Sequence, residues 1–122
     1  MSLPTSDDQL VLLHNPRCSK SRATKALLEE RGQSFEERLY LEQPLDAAEL
    51  GELGRRLGKP LHAFVRSKEG AYAEAGLSAD SSEEQLLAAV AAHPILMERP
   101  ILVRGQRAAI GRPPEDVLAL LD

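Results

Sequence analysis

The sequence predicts an α/β fold with a mixed sheet, in which a β-α-β unit and a β-β-α unit are separated by a helical insertion. Two strand-like runs flank a helix-forming stretch within residues 9–41. Residues 45–94 carry helical patterns and no convincing strand, and two strand signals joined by a turn return at residues 101–110. A helix between two strands is the usual opening of a parallel sheet, whereas a tight turn joins antiparallel strands.

The β-α-β unit begins with the short apolar run 9–14, which is typical of a buried strand and ends at Asn15-Pro16. Helix-forming residues then extend from Cys18 to Arg31, and Gly32 stops the helix. The alternating segment Phe35–Leu41 predicts the second strand.

The insertion contains two pairs of residues with the three-residue spacing of a helix capping box: Asp46 with Glu49, and Ser81 with Glu84. The first predicted helix carries leucines on one face and ends at Gly58, and the second ends at His93-Pro94. Residues 60–66 and 69–77 predict shorter helical pieces.

The β-β-α unit follows Arg99-Pro100. Residues 101–103 predict a strand, Gly105-Gln106 a hairpin turn and residues 108–110 the returning strand. Pro113-Pro114 suits the first turn of a final helix. We expect residues 1–8 to be a tail and residues 9–122 to form one domain that includes the helical insertion at about 45–94.

Composition narrows the function classes. The chain has 122 residues, and 15 Lys and Arg against 19 Asp and Glu give a net charge of −4, which argues against nucleic-acid binding. No apolar stretch predicts a membrane span and no signal-peptide pattern opens the chain. One cysteine and three scattered histidines exclude the usual zinc spacings, so no metal is expected. We therefore expect a cytoplasmic protein with a reduced thiol.

The single cysteine, Cys18, is the strongest candidate for chemistry. It follows a strand-to-helix turn, where unpaired N–H groups favour negative charge, and the cations Arg17 and Lys20 lie beside it. Both effects lower a thiol pKa. His14, at the end of the first strand, is expected to approach the sulfur as an imidazolium. The alternative is a small buried apolar side chain, which is the commoner role of a lone cysteine.

The spacing around Cys18 excludes two kinds of enzyme. Cys18 and Ser21 form C-x-x-S, so the second thiol of a dithiol oxidoreductase is absent and a resolving thiol must come from another molecule. The sixth residue after the cysteine is Thr24, which excludes the C-x5-R phosphate loop of tyrosine-phosphatase-like enzymes.

Three arginines lie at predicted junctions between elements: Arg66, Arg99 and Arg112. A planar guanidinium binds a tetrahedral oxyanion through two hydrogen bonds, which a lysine cannot copy. Composition alone nevertheless favours the ordinary role of solvated surface residues for all three.

The run His14–Arg22, which reads HNPRCSKSR, resembles the H-N-P-x-C-x-x-S-R signature of the ArsC-type, glutaredoxin-dependent arsenate reductases. The likeness continues through further motifs in the same order: residues 40–42, 65–66, 72–77, 93–96, 98–101 and 111–113. It covers nearly the whole chain, from about residue 10 to residue 121.

The resemblance implies a thioredoxin-like sheet and a set of site residues. The family's nucleophile falls on Cys18 and its thiolate-stabilising histidine on His14. Its three anion-binding arginines fall on Arg66, Arg99 and Arg112.

Supporting roles are implied for Asn15 and Ser21, and for Pro100, which falls on the proline that is cis in thioredoxin-like folds. The implied reaction joins Cys18 to arsenate, uses glutathione as the co-substrate that reduces arsenic, and releases the mixed disulfide to glutaredoxin. No bound cofactor is required.

The motif also departs from the pattern C-G-T-S-R-N that is common in these reductases, because residues 18–23 read CSKSRA. Two alternatives therefore stay open. One is a monothiol, glutaredoxin-like thiol exchange protein, and the other is an Spx-like regulator that binds RNA polymerase. Ser21 counts against the regulator, which typically carries C-x-x-C as a redox switch.

Overall fold

The computed structural model describes residues 3–121. The chain separates into two compact units. The sheet unit contains the residues up to Gln43 and those from Arg99 onward, and the helical unit contains Pro44–Glu98. Each unit is described by itself below.

The sheet unit has four strands and one long helix: β1 (Leu10–His14), α1 (Ser19–Glu30), β2 (Glu36–Leu39), β3 (Ile101–Arg104) and β4 (Arg107–Ile110). The strand order is β2-β1-β3-β4. β1 pairs with β2 in parallel and with β3 antiparallel, and β3 pairs antiparallel with β4. The predicted mixed α/β sheet is confirmed.

Burial explains why the apolar run of β1 becomes a central strand. All five of its residues are buried, and the strand has a neighbour on each side. One core cluster of the unit joins the sheet, α1 and the last helical segment through Leu10, Leu12, Leu28, Leu102, Val117 and Leu120.

Two elements differ from the prediction, one in where it ends and the other in its type of helix. β2 stops at Leu39 rather than at Leu41, because the Leu39 carbonyl accepts hydrogen bonds from the backbone N–H groups of Glu42 and Gln43 and closes a turn. The final helix is a 3₁₀ helix, Pro114–Leu120. Its buried residues lie three apart, which places them on one face of a helix with three residues per turn.

Part of the predicted tail packs against the sheet unit. Residues 1 and 2 lie outside the described residues, but Leu3 is buried. The carbonyl of Asp7 accepts a hydrogen bond from Nε of Arg104 at 2.8 Å. Residues 3–8 are thus held near the β3–β4 hairpin.

The helical unit contains α2 (Ala47–Leu57), α3 (Gly70–Glu74) and α4 (Glu83–Ala92), with short 3₁₀ turns at Leu61–Ala63 and Pro94–Leu96. An isolated antiparallel bridge pairs Val65 with Met97. Because residues 64–66 pair with residues 96–98, this unit extends beyond residue 94, where the predicted insertion ends.

One predicted capping box is confirmed and the other is wrong by one residue. Asp46 caps α2 with Glu49 as predicted. α4 is capped by Ser82 with Gln85 rather than by Ser81 with Glu84. The hydroxyl of Ser81 instead accepts the backbone N–H of Ser78 and closes the preceding turn.

In the described part of the chain, no helix is both long enough and apolar enough to cross a lipid bilayer.

Candidate active site

The strand register brings the candidate residues of the sheet unit to one edge of the sheet. β1 ends where His14 pairs with Leu39. The pairs Leu13 with Ile101 and Ile101 with Ile110 place the start of β3 and the end of β4 at the same edge. The loop after β1, the residues before β3 and the residues after β4 therefore converge there.

The loop after β1 is a hydrogen-bonded turn built on Asn15, whose side chain is buried. Its Oδ1 accepts the backbone N–H of Arg17, and its carbonyl accepts the backbone N–H of Cys18, both at 3.0 Å. A side chain that bonds to the backbone two residues later fixes such a turn locally. Asn15 thus places Cys18 directly at the start of α1.

Ser21, fully buried in the first turn of α1, ties this loop to the helix. Its Oγ accepts the backbone N–H of Asn15 at 3.0 Å and lies 2.6 Å from Nδ1 of His14. Since Asn15 already donates to Oγ, the Ser21 hydroxyl proton is available for Nδ1 of the histidine. Asn15, Ser21 and His14 form one network behind the cysteine.

Cys18 occupies the N-cap position of α1 and is half-buried. Burial alone raises the pKa of the Cys18 thiol, but the N–H of Ser21, the guanidinium of Arg99 and the N–H of Lys20 outweigh it, so the pKa is lowered. The cationic contribution comes from Arg99 rather than from the adjacent Arg17 that the sequence suggested.

Arg112 approaches the sulfur most directly. Its Nη2 lies 3.6 Å from Sγ of Cys18, and its Nε donates a 2.7 Å hydrogen bond to the carbonyl of Arg99. The side chain is exposed but oriented by this bond to the neighbouring loop. The structure therefore brings Cys18, Arg99 and Arg112 together.

Close packing at Gly111 holds the loop that carries Arg112. The N–H of Gly111 donates to the carbonyl of Pro100 at 2.9 Å. A Cβ atom at Gly111 would lie 2.7 Å from Oγ1 of Thr24 and 2.8 Å from Cγ of Pro100. The peptide bonds before Pro100 and Pro113 are both cis.

His14 is buried, and this burial is the main cause that lowers the pKa of its imidazole. A lowered pKa disfavours the imidazolium form expected from the sequence. The ring is hydrogen-bonded to Ser21, so it contributes to the network that holds the helix start. The predicted role of His14 toward the thiolate stays a prediction.

Tyr40 is a core residue that lies close to the candidate site. It follows β2 at the same sheet edge, and its side chain has no exposed area. Its hydroxyl has no hydrogen-bond partner of acceptable geometry among the described residues. Burial raises the pKa of Tyr40 to about 12, although Arg99 and Asn15 act in the opposite direction.

Arg66 lies in the helical unit. Its guanidinium pairs with the carboxylates of Glu98, at 3.1 Å, and Glu69, at 3.4 Å. The bridge between Val65 and Met97 holds this backbone in place. The predicted role of Arg66 toward the substrate stays a prediction.

The arrangement in the sheet unit suits attack by sulfur on an anion. The sulfur has a lowered pKa, and two guanidinium groups lie beside it. Guanidinium groups fixed where negative charge collects stabilise a tetrahedral oxyanion and the transition state that leads from it. Within residues 3–121, no group of three or more His, Cys, Asp or Glu side chains is arranged to hold a metal ion.

Comparison with known proteins agrees with this geometry. Residues 13–120 match the ArsC family. The chain is 50% identical to the uncharacterized protein YfgD of Escherichia coli K12, over 93% of this chain and 97% of that one. It is 44% identical to an arsenate reductase of Neisseria meningitidis, over 93% of this chain and 98% of that one.

A solved structure of an arsenate reductase from Vibrio cholerae superposes with a TM-score of 0.88 at 45% identity. The match covers 92% of this chain and 97% of that one. The match therefore spans both units of the chain.

Proposed function

The chain belongs to the ArsC family, and on that premise we propose that it is an arsenate reductase that uses Cys18 as its nucleophile, with glutathione and glutaredoxin as reductants. The observation that carries this proposal is the thiol at the start of α1, with a lowered pKa and Nη2 of Arg112 at 3.6 Å. Relatives named arsenate reductase, at 40% and 44% identity over more than nine-tenths of the chain, support the same reaction.

In the first step, the Cys18 sulfur attacks the arsenic of arsenate. The S–As bond forms, one As–O bond breaks, and the departing oxygen leaves as water with the thiol proton. Arsenic stays pentavalent in the product, Cys18–S–AsO(OH)₂. Arg99 and Arg112 neutralise the charge of the oxyanion beside the sulfur, which is where fixed donors lower the barrier most.

In the second step, the glutathione sulfur attacks Sγ of Cys18. An S–S bond forms, the S–As bond breaks, and its electron pair stays on arsenic, which leaves as trivalent As(OH)₃ with the glutathione proton. A glutaredoxin thiol then takes the glutathione from the mixed disulfide and restores the Cys18 thiol. One enzyme cysteine is sufficient for this sequence, and such thiol chemistry suits the reducing cytoplasm.

The other residues have positioning roles in this proposal. Asn15 and Ser21 fix the loop and the first helical turn, and His14 is hydrogen-bonded to the Ser21 hydroxyl. Pro100 accepts the backbone N–H of Gly111 and so links the two arginine-bearing loops. Arg66 is proposed as the third anion-binding arginine on the family resemblance alone.

The test measures arsenite formed from arsenate by the purified protein with glutathione, glutaredoxin, glutathione reductase and NADPH. We expect wild-type turnover and none with Cys18→Ser, while both proteins keep the same circular dichroism spectrum. Equal arsenite formation by the two proteins contradicts the proposal.

A parallel assay on a small disulfide separates oxyanion reduction from thiol exchange. Arg112→Lys should lose most arsenate turnover but keep thiol–disulfide exchange, since only the former needs two fixed guanidinium groups. Exchange activity without any arsenite from the wild-type protein would support the monothiol exchange alternative instead.

A further inference from the structure

A pocket of about 230 Å³ lies beside the cysteine loop in the sheet unit. It lies at the carboxyl ends of the parallel strands β1 and β2, and its walls are His14, Asn15, Pro16, Arg17, Leu39, Leu41 and Glu42. Neither Cys18 nor the arginines Arg99 and Arg112 line it. The pocket is therefore separate from the place where the oxyanion meets the sulfur.

The pocket presents one cation and one anion that do not pair with each other. Among the described residues, the guanidinium of Arg17 and the carboxylate of Glu42 make no hydrogen bond or ion pair, and both residues are exposed. Both groups can therefore bind charges of a ligand. A ligand with a single negative charge would leave the Glu42 carboxylate beside it, which disfavours a simple oxyanion here.

An apolar surface lies between these polar groups. Leu41 is 40% exposed and is the large apolar side chain that the described residues leave exposed. Pro16 and Leu39 add to the same lining. Small-molecule sites typically combine an apolar lining with a few polar groups that fix orientation.

One backbone turn connects the wall of the pocket with the cysteine. The carbonyl of Asn15 accepts the N–H of Cys18, so the turn begins in the pocket wall and ends at the nucleophile. The Cα atoms at the ends of such a turn lie within about 7 Å of each other. Arg17, which lines the pocket, directly precedes Cys18 in the chain, so a ligand held there lies beside the cysteine loop.

We propose that this pocket binds the reducing thiol: a short peptide thiol that carries both a carboxylate and an ammonium group, of which glutathione is the type. The carboxylate pairs with Arg17, the ammonium with Glu42, and the apolar part of the ligand covers Leu41. This inference rests on the proposed function, because it names the place from which the second thiol attacks Sγ of Cys18.

The chemistry at the pocket is the second step already described. The ligand sulfur forms the S–S bond to Cys18, the S–As bond breaks, arsenic keeps the electron pair, and the ligand thiol proton leaves with trivalent arsenic. The pocket contributes no acid or base to this step. It raises the local concentration of the attacking thiol and orients it.

The first test uses S-methylglutathione, which cannot react, with the ¹⁵N-labelled wild-type chain. We expect saturable amide shifts at residues 14–17 and 39–42, and loss of those shifts in Arg17→Gln and Glu42→Gln. Arg31→Gln and Glu30→Gln serve as matched controls, since both residues are exposed charges of the sheet unit outside the pocket. Shifts confined to other residues, or shifts unaffected by the two pocket variants, overturn the proposal.

The second test compares the thiol dependence of arsenate reduction for thiols of different charge. Arg17→Gln should raise KM about threefold to tenfold for anionic mercaptopropionate, and Glu42→Gln should do the same for cationic cysteamine. KM for uncharged mercaptoethanol and KM for arsenate should not change in either variant. Equal changes for all three thiols would contradict a charge-matched pocket.

The two proposals fail in different ways. If the wild-type chain forms no arsenite but S-methylglutathione still binds at the pocket, the proposed reaction is wrong and the binding site stands. If arsenite forms normally and the pocket residues affect neither binding nor KM for the thiol, the pocket assignment is wrong and the reductase proposal stands.

Discussion

The two units of this chain differ in what they bury. The described buried polar and charged residues, His14, Asn15, Ser21, Thr24 and Arg38, all belong to the sheet unit. The most enclosed residues of the helical unit are apolar, Phe64 and Leu53 among them, and its largely buried Arg56 side chain pairs with Glu52. Because a buried polar group costs free energy unless it is bonded, the hydrogen bonds among His14, Asn15 and Ser21 are needed where the cysteine loop is buried.

The helix starts show the same contrast. α2 and α4 begin with complete capping boxes and carry glutamates in their first turns. α1 begins at Cys18, without a side-chain cap hydrogen bond and without an acidic residue in its first turn. α3 of the helical unit also starts without a side-chain cap hydrogen bond, but it is only five residues long. Among the three longer helices, α1 alone starts without a capping box, and it does so at the candidate nucleophile.

The largest effect is expected from Arg112→Lys. A lysine removes the planar group that reaches both Sγ of Cys18 and the carbonyl of Arg99, so kcat/KM for arsenate should fall about 10²- to 10³-fold. The measurement is arsenite formation under saturating glutathione and glutaredoxin. Arg107→Lys on β4, an exposed arginine, is the control and should keep wild-type turnover. A loss of less than threefold in Arg112→Lys would contradict the assigned role.

A smaller effect is expected from Gly111→Ala, which tests the packing behind Arg112. The new Cβ atom would lie under 3.0 Å from atoms of both Thr24 and Pro100, so the free energy of unfolding should fall by about 1–3 kcal/mol. Urea unfolding of the variant and the wild-type protein measures this difference in the free energy of unfolding. Gly51→Ala in α2 is the matched control, because nothing lies within 4 Å of its Cβ position and alanine favours the helix. Equal stability of the two variants would show that the packing at Gly111 is loose.

The sequence predicts the sheet unit well where local signals and tertiary packing agree. The apolar run of β1, the turn at Asn15-Pro16 and the strands on either side of Gly105-Gln106 appear as predicted. Predicted element boundaries are wrong where a local hydrogen bond ends or delays the element. β2 ends early because the Leu39 carbonyl closes a turn, and α4 begins one residue late because Ser81 bonds backward to Ser78.

The sequence predicts which motif residues lie together, but not the properties that depend on burial. Cys18, Arg99 and Arg112 fall together as the resemblance implied. The lowered pKa of His14 could not be inferred, because it depends on how deeply the ring is buried. The unbonded state of the Tyr40 hydroxyl could not be inferred either, because it depends on which groups pack around a core tyrosine.

The thiol pKa tests the contrast between helix starts directly. The alkylation rate of Cys18 with iodoacetamide should rise with pH through a midpoint below about 8.5, the value of an ordinary cysteine. Arg99→Gln should move that midpoint upward, because Arg99 both bonds and attracts the thiolate. A midpoint at or above the ordinary value would return Cys18 to the class of inert cysteines.

The lowered pKa of Cys18 also predicts how the stability of the protein changes with pH. A thiol whose pKa is lowered in the folded state releases its proton there at a lower pH than in the unfolded chain. The stability of the wild-type protein relative to Cys18→Ser should therefore rise as pH increases through the folded pKa and level off above the unfolded value. This extra stability of the wild-type protein should disappear as pH falls through the pKa of the folded state. A relative stability that falls as pH rises would contradict the lowered pKa.

The smallest effect is expected from the helix cap of the other unit. Asp46→Ala removes the acceptor of the Glu49 N–H, bonded at 2.8 Å, and should lower the free energy of unfolding by about 1 kcal/mol. Arsenite formation and the thiol alkylation midpoint should not change. Asp80→Ala is the control, because this exposed acid of the helical unit caps no helix and should change stability by less than about 0.5 kcal/mol. If Asp46→Ala alters the reactivity of Cys18 while the fold is retained, the helical unit takes part in tuning the thiol, and the division between a stabilising unit and a reactive one is wrong.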